Sequence, residues 1–247
     1  MNIEIPESWG KDPISNFIRS AYTNSILAFT EYKETPVFKA LYEVDNLFNL
    51  AMKVKYGRHE RLLTNFIGRC HSAYLGGVRL STSGQVVETY MVIRGCLENV
   101  LYALYIKDDP TIDEELPERS VVWLNRGKDE DSTKKCRKMF TYSAVKNNLL
   151  EQDKALGQEA SLLYERTIDY GAHPSFFGHS TTSNVKQGGV TILLLLPGTP
   201  PFKLCVQTAV EVGICSLRIF NRIFQDRFRS VGITARIDKI NWKGQQV

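Results

Sequence analysis

Residues 85–107 read QVVETYMVIRGCLENVLYALYIK, and the fold can be worked out from this segment. When the segment is drawn as a helix, hydrophobic side chains lie around its whole circumference instead of along one stripe. Such a helix is predicted to be buried at the centre of a helical bundle. Arg94 and Glu98 are exceptions, and their spacing of four places them on one face. Because a buried charge is costly unless it is paired, these residues should either pair with each other or reach a polar pocket.

Helix signals continue on both sides of this segment. Asp12-Pro13 and Thr35-Pro36 each place a capping residue before a proline, which predicts the starts of two helices. A third helix follows and should weaken at Gly76-Gly77. The spacing of Thr82 and Gln85 predicts a capping box at the start of the central helix. Three further helices are predicted at about 133–153, 159–170 and 202–228.

The region after residue 180 departs from the helical pattern. Gln187-Gly188-Gly189 lies between two short β-rich runs, so a small β-hairpin is expected near 183–196. Residues Ile233–Trp242 fit either a third strand or a tail. The fold class is therefore predicted as mainly all-α, a bundle of about seven helices with one hairpin. We expect one domain over 1–247, with a helical core at about 60–180 and a C-terminal part at 181–247.

Charge is distributed unevenly along the chain. The net charge is +4, whereas the part from Lys203 to the end holds eight Lys or Arg residues against three Asp or Glu residues. Arg218, Arg222 and Arg229 lie at helical spacing within it and predict a basic surface that could face RNA or an acidic protein partner. The alternative is an ordinary solvated helix face.

Cysteine usage and hydropathy bear on the compartment. Five widely spaced cysteines without a CxxC pair suit a reducing environment. The N-terminus lacks the plan of a signal peptide. The apolar run Val190–Leu196 is far shorter than the ~20 residues of a spanning helix. We therefore expect a soluble, cytoplasmic protein without membrane contact, and the ligand spacing predicts no metal site and no cofactor.

The most suggestive polar spacing is Arg166, six residues and then His173, within 159–180, EASLLYERTIDYGAHPSFFGHS. This spacing resembles the R-x(4–6)-H motif of the HEPN superfamily, helical proteins of prokaryotic defence, stress and toxin systems. The likeness covers roughly Arg61–Phe177 and includes the segment YMVIRGCLENVLYALYI and a later Y-x-x-HPS. The resemblance implies that, in a metal-independent endoribonuclease, His173 would be the general acid or base and Arg166 would clamp the phosphate. It also implies a homodimer.

Three functions remain open from the sequence. Arg94, Glu98 and Tyr170 could join His173 in a buried polar network that only fixes the helix register, and the protein would then be a noncatalytic binding or interaction module. The same residues could instead line a pocket for a small molecule. The third reading is RNA cleavage by Arg166 and His173. The first of these is the function predicted from the sequence.

Overall fold

The computed structural model describes residues 4–57, 60–111, 117–172, 174–186 and 189–240. These ranges are mainly α-helical with one two-stranded sheet, which confirms the predicted fold class. The elements are α1 (Pro13–Tyr32), α2 (Pro36–Lys53), α3 (Arg61–Ser83), α4 (Val86–Lys107), α5 (Glu118–Leu124), α6 (Glu130–Met139), α7 (Tyr142–Gln152), α8 (Lys154–Thr167), a π-helical turn (Ile168–Ala172), α9 (Phe176–Thr182), β1 (Ser183–Lys186), β2 (Gly189–Ile192), α10 (Pro200–Ile223), α11 (Gln225–Ser230) and α12 (Ile233–Lys239).

The centre of the bundle consists of α3, α4 and α10, which pack against one another. As predicted, α4 is buried on most sides, and it also contacts α7, α8 and the π-helical turn. Only a narrow strip at Glu88 and Met91 is exposed. Helix α2 lies against α10, and α1 packs on the outside of α3. The large apolar surface of α4 is therefore shared among several helices, which fixes their arrangement.

Capping residues explain where several helices begin. The Asp12 carboxylate accepts hydrogen bonds of 3.0 Å from the backbone N–H groups of Ile14 and Ser15, and Pro13 occupies the first turn, as predicted. Thr35 and Pro36 begin α2, although the Thr35 side chain donates to the Tyr32 carbonyl instead of capping the helix.

The junction between α3 and α4 differs from the prediction. Helix α3 continues through Gly76-Gly77 without a break and ends at Gly84, whose φ of 88° needs a glycine. Thr82 therefore belongs to the last turn of α3, where its hydroxyl donates to the Val78 carbonyl at 2.9 Å, and it does not cap α4. The predicted capping box is wrong because α3 continues to Ser83 and the N-cap residue of α4 is Gln85, three positions after Thr82.

Two predictions about the second half of the chain are also wrong. The helix predicted over 133–153 is divided into α6 and α7, because Thr141 caps a new helix by accepting from the Ala144 N–H group at 3.2 Å. The segment Ile233–Lys239, considered as a strand or a tail, is helix α12, with Ile233 and Ile237 buried. Residues 241 and 242 of that prediction lie outside the described residues.

The predicted hairpin is confirmed. Strands β1 and β2 pair antiparallel, from Ser183 opposite Ile192 to Lys186 opposite Gly189. The turn residues 187–188 lie outside the described residues. All of β2 is exposed, so the hairpin projects from the bundle and does not contribute to the core.

Helix α10 alone among the described residues has the length and the apolar composition of a membrane span. Within the bundle, 72% of its apolar window is buried. Contacts with α2, α3, α4 and α8 cover it, so a central position in the core accounts for its composition.

Candidate functional site

The segment with the Arg166 to His173 spacing crosses from α8 into the π-helical turn. Gly171 passes so close to α4 that a Cβ atom there would lie 2.3 Å from the Val87 carbonyl oxygen. Gly171 therefore allows a close backbone contact with α4. His173 lies outside the described residues, so the structure places Arg166 alone of this pair.

Arg166 lies in the last turn of α8 and faces α10. Its guanidinium forms an ion pair with the Glu211 carboxylate, and it lies 3.4 Å from the Thr208 hydroxyl oxygen. The side chains of Arg166 and Glu211 are 32% and 24% exposed. The guanidinium is thus held by a carboxylate of the neighbouring helix, at the edge of a groove of 610 Å³.

Two more ion pairs continue along the same two helices. Arg218 Nη1 lies 3.0 Å from Glu159 Oε2, and Arg222 Nη1 lies 3.1 Å from Asp153 Oδ2. Together with Arg166–Glu211 they form an ordered series, which we call the α8–α10 ladder. As the paired positions on the α8 side fall from 166 to 153, their partners on α10 rise from 211 to 222, so the two helices run antiparallel. The ladder connects α8 to α10 along its length.

The predicted basic surface is thus largely matched by carboxylates. Arg218 and Arg222 belong to the α8–α10 ladder, and Arg229 lies 3.8 Å from Asp226, three residues earlier, in an exposed and widely spaced pair. The local positive charge available to RNA or to an acidic protein is therefore smaller than the sequence count suggests.

Arg94 and Glu98 pair with each other, one of the two arrangements expected from the sequence. Arg94 Nε donates to Glu98 Oε1 at 2.7 Å, and the Tyr164 hydroxyl donates to the same oxygen at 3.4 Å. The guanidinium also lies 4.8 Å from the centre of the Tyr164 ring, which stacks on Tyr142 at 3.7 Å. Burial raises the pKa of Tyr164 to about 12, so its hydroxyl stays protonated and able to donate.

Tyr170 lies outside this cluster. Its ring packs against Tyr90 at 5.3 Å and against Phe177 at 3.9 Å, within the contact between the π-helical turn and α4. The Tyr90 hydroxyl is fully buried and accepts or donates no hydrogen bond within the part of the chain that the structure describes. Burial raises its pKa, an effect that the nearby Thr208 hydroxyl only partly offsets. The predicted polar residues therefore form separate groups: Arg94–Glu98 with Tyr164, Arg166 with Glu211, and Tyr170 among aromatic rings.

The partners Glu211, Thr208 and Tyr164 were not identified from the sequence. Glu211 is 45 residues from Arg166. The pair can be predicted only when α8 and α10 are known to be antiparallel neighbours. Tyr164 precedes Arg166 by two residues and so faces another side of α8, where its hydroxyl reaches Glu98 of α4.

The site was also compared with the requirements of a metal centre and the chain with known proteins. Across the described ranges, no group of three or more His, Cys, Asp or Glu side chains is arranged to hold a metal ion. Comparison of the chain with models of protein families, with curated proteins and with solved structures finds no match.

Proposed function

We propose that this chain is a noncatalytic, HEPN-like binding module that acts through contacts with a protein and not by cleaving RNA. The ion pair between Arg166 and Glu211 carries this proposal. A phosphate clamp needs a guanidinium whose donors are free for the phosphate oxygens. Here the Nη1 donor is engaged by a carboxylate, and that negative charge would repel an approaching phosphate.

The α8–α10 ladder supports the same proposal. Each of its three arginines has a carboxylate from the facing helix, so the groove presents alternating charges and no continuous positive path for an RNA backbone. Such a ladder positions two helices relative to each other, although each partly exposed ion pair alone contributes little to the free energy of unfolding. An exposed apolar face on α1, described below, offers a surface suited to protein contacts.

The test is RNA cleavage in EDTA by the purified full chain, alongside Arg166→Ala, His173→Ala and Glu211→Gln. We expect no cleavage by any of the four proteins. Glu211→Gln is the informative control, because it removes the competing charge and leaves the Arg166 donors free for phosphate. Thermal unfolding of each variant confirms that it is folded.

Cleavage by the wild type that survives chelation and disappears in both Arg166→Ala and His173→Ala would overturn the proposal in favour of a metal-independent endoribonuclease. Cleavage gained only in Glu211→Gln would show that the site is competent but blocked by its ion pair. That result would also contradict a purely noncatalytic role.

A further inference from the structure

Helix α1 turns its small and polar side toward the bundle. Ala28 is 4% exposed, and the neighbouring positions on this side are Ala21, Asn24 and Ser25. Asn24 Nδ2 donates to the Ser83 carbonyl at 3.1 Å, and the Thr82 hydroxyl lies 3.4 Å from that of Ser25. The contact between α1 and α3 therefore depends on close approach and hydrogen bonds and buries few large apolar side chains of α1.

Five large apolar side chains of α1 lie on a neighbouring side and are exposed. We call this row the α1 ridge; its members and exposed fractions are Ile14 (74%), Ile18 (43%), Tyr22 (69%), Ile26 (50%) and Phe29 (36%). Their spacing of four, four, four and three keeps them on one side of the helix. An exposed apolar row of this length is expected to be covered by a partner.

A groove runs beside the α1 ridge, between α1 and α3. It has a volume of 930 Å³, and its lining includes Trp9, Ile18, Tyr22, Leu75 and Gly76. Trp9 and Leu75 are themselves 39% and 46% exposed. The same face of the molecule thus carries both a projecting apolar row and an apolar depression of comparable length, which we call the α1–α3 groove.

We infer that a second copy of this chain covers this face, with the α1 ridge of each copy lying along the α1–α3 groove of the other. A two-fold interface needs one patch that is complementary to itself, and a ridge beside a groove meets that requirement. The ridge is also nearly symmetric about Ser20. Antiparallel pairing there would place Ile14 opposite Ile26 and Ile18 opposite Tyr22 of the other copy.

The exposed apolar area and the low charge of α1 favour a second copy of the chain over a lipid surface or a charged peptide. At roughly 200 Å² for a fully exposed large apolar residue, the ridge with Trp9 and Leu75 exposes roughly 700 Å², close to the ~800 Å² per partner of a standard interface. Between Ile14 and Thr30 the only charged residue is Arg19. A helix that lies on lipid would carry several basic residues, and a charged peptide partner would need complementary charges. Neither requirement is met by α1.

The first test is the molar mass of the full chain in solution, by light scattering and sedimentation equilibrium over micromolar concentrations. We expect a dimer that Ile18→Glu and Tyr22→Glu each weaken by at least ~30-fold in Kd, since a buried charge at the centre of an interface costs about 2 kcal/mol or more. The matched control is Leu162→Glu on α8. Leu162 is 69% exposed and lines the groove beside Arg166 instead of the α1–α3 groove, so this variant should dimerise as the wild type does.

The second test addresses geometry with a smaller change. The double variant Ile18→Cys/Tyr22→Cys places thiols opposite each other across the proposed axis, and we expect oxidation to cross-link two copies, whereas Leu162→Cys should not cross-link. This variant introduces no charge, so it remains informative if a glutamate variant fails to fold.

A monomeric chain at all concentrations would overturn the inference, as would a dimer that both glutamate variants leave intact. A monomer that sediments with lipid vesicles would assign the ridge to a membrane surface instead. The inference names the partner for the proposed binding function and rests on it, but the two fail separately. A monomer without RNA cleavage contradicts only the dimer, and a dimer that cleaves RNA contradicts only the noncatalytic role.

Discussion

Gly77 sets the distance between the two most closely packed helices. A Cβ atom at this position of α3 would lie 2.1 Å from Ile93 Cγ2 and 3.5 Å from Ile93 Cβ on α4. On the same helix face, Cys70 and Cys96 exchange contacts of 3.5 Å from each sulfur to the other's carbonyl oxygen. Small residues thus allow the two backbones to approach, and the packed interior cannot absorb an additional methyl group there.

We predict that Gly77→Ala lowers the free energy of unfolding by about 1–3 kcal/mol, because the new methyl group overpacks the contact with Ile93. Gly68→Ala is the matched control on the same helix. Its Cβ would lie 3.6 Å from Met52 Cε, an ordinary contact, so the better helix propensity of alanine should raise stability by about 0.5–1 kcal/mol. Urea unfolding of the three proteins measures both changes. Equal effects of the two substitutions would show that packing against α4 does not decide the outcome.

At the residue scale, sequence reasoning succeeded where partners are close in the chain. The pairing of Arg94 with Glu98 follows from their spacing of four on a helix. The partner of Arg166 could not be predicted, because Glu211 belongs to another helix and the pairing depends on how α8 and α10 pack. Gly77 was interpreted as a weak point of its helix, because propensity describes an isolated helix and the tight contact with α4 is a tertiary effect.

The connection between α4 and α5 is organised by one buried carboxylate. Asp109 is 3% exposed and accepts hydrogen bonds from the backbone N–H and the hydroxyl of Thr111, at 2.9 and 2.8 Å. The backbone N–H of Arg119, at the start of α5, donates to its other oxygen at 2.5 Å. Burial alone would raise the pKa of Asp109, but these donors stabilise the charged form and lower it overall.

A carboxylate whose pKa is lowered in the folded state stabilises that state above its unfolded pKa, about 3.9 for Asp, and loses this effect as pH falls through the folded pKa. We predict that Asp109→Asn costs about 1–3 kcal/mol at pH 7, because one acceptor oxygen becomes a donor facing other donors. The difference from wild type should narrow below about pH 4. Urea unfolding between pH 7 and pH 3 measures it.

Asp238→Asn is the control for this comparison, because Asp238 is exposed on α12 and its replacement should change stability by less than about 0.5 kcal/mol at pH 7. If the cost of Asp109→Asn stayed constant down to pH 3, the carboxylate charge would not be the source of the stabilisation.

At the scale of elements, the sequence predicts where helices exist better than what they pack against. The apolar spacing of Ile14, Ile18 and Ile26 correctly predicts α1. The same spacing normally marks the side that faces the core, yet here those residues are exposed and smaller ones face α3. Periodicity identifies an apolar side of a helix but does not show whether this chain or another one covers it. Helix α12 was missed because its seven residues are too few for periodicity to separate helix from strand.

At the scale of the whole molecule, the fold class follows from α4, since a helix that is apolar all round requires neighbours on every side.

The reactivity of the buried thiols can show whether all parts of the bundle unfold together. All five cysteines are free and buried, and four of them lie in α3, α4 and α10: Cys70, Cys96, Cys205 and Cys215. Cys136 lies instead in α6, a ten-residue helix that packs mainly against α5 at the periphery.

We predict that native-state alkylation labels Cys136 faster than the other four thiols, by about tenfold or more, a gap of ~1.4 kcal/mol or more in opening free energy. Detachment of α6 exposes Cys136 while the central helices remain packed, whereas the other thiols become reactive only when the core itself opens. Burial raises the pKa of Cys136 as well as those of Cys96, Cys205 and Cys215, so little thiolate forms at any of them before opening and the difference in rate reports the opening itself. Mass spectrometry of alkylated peptides over time measures each rate, with Cys136→Ala to confirm the assignment of the fast phase. A single rate for all five thiols would mean that α6 unfolds only together with the central bundle.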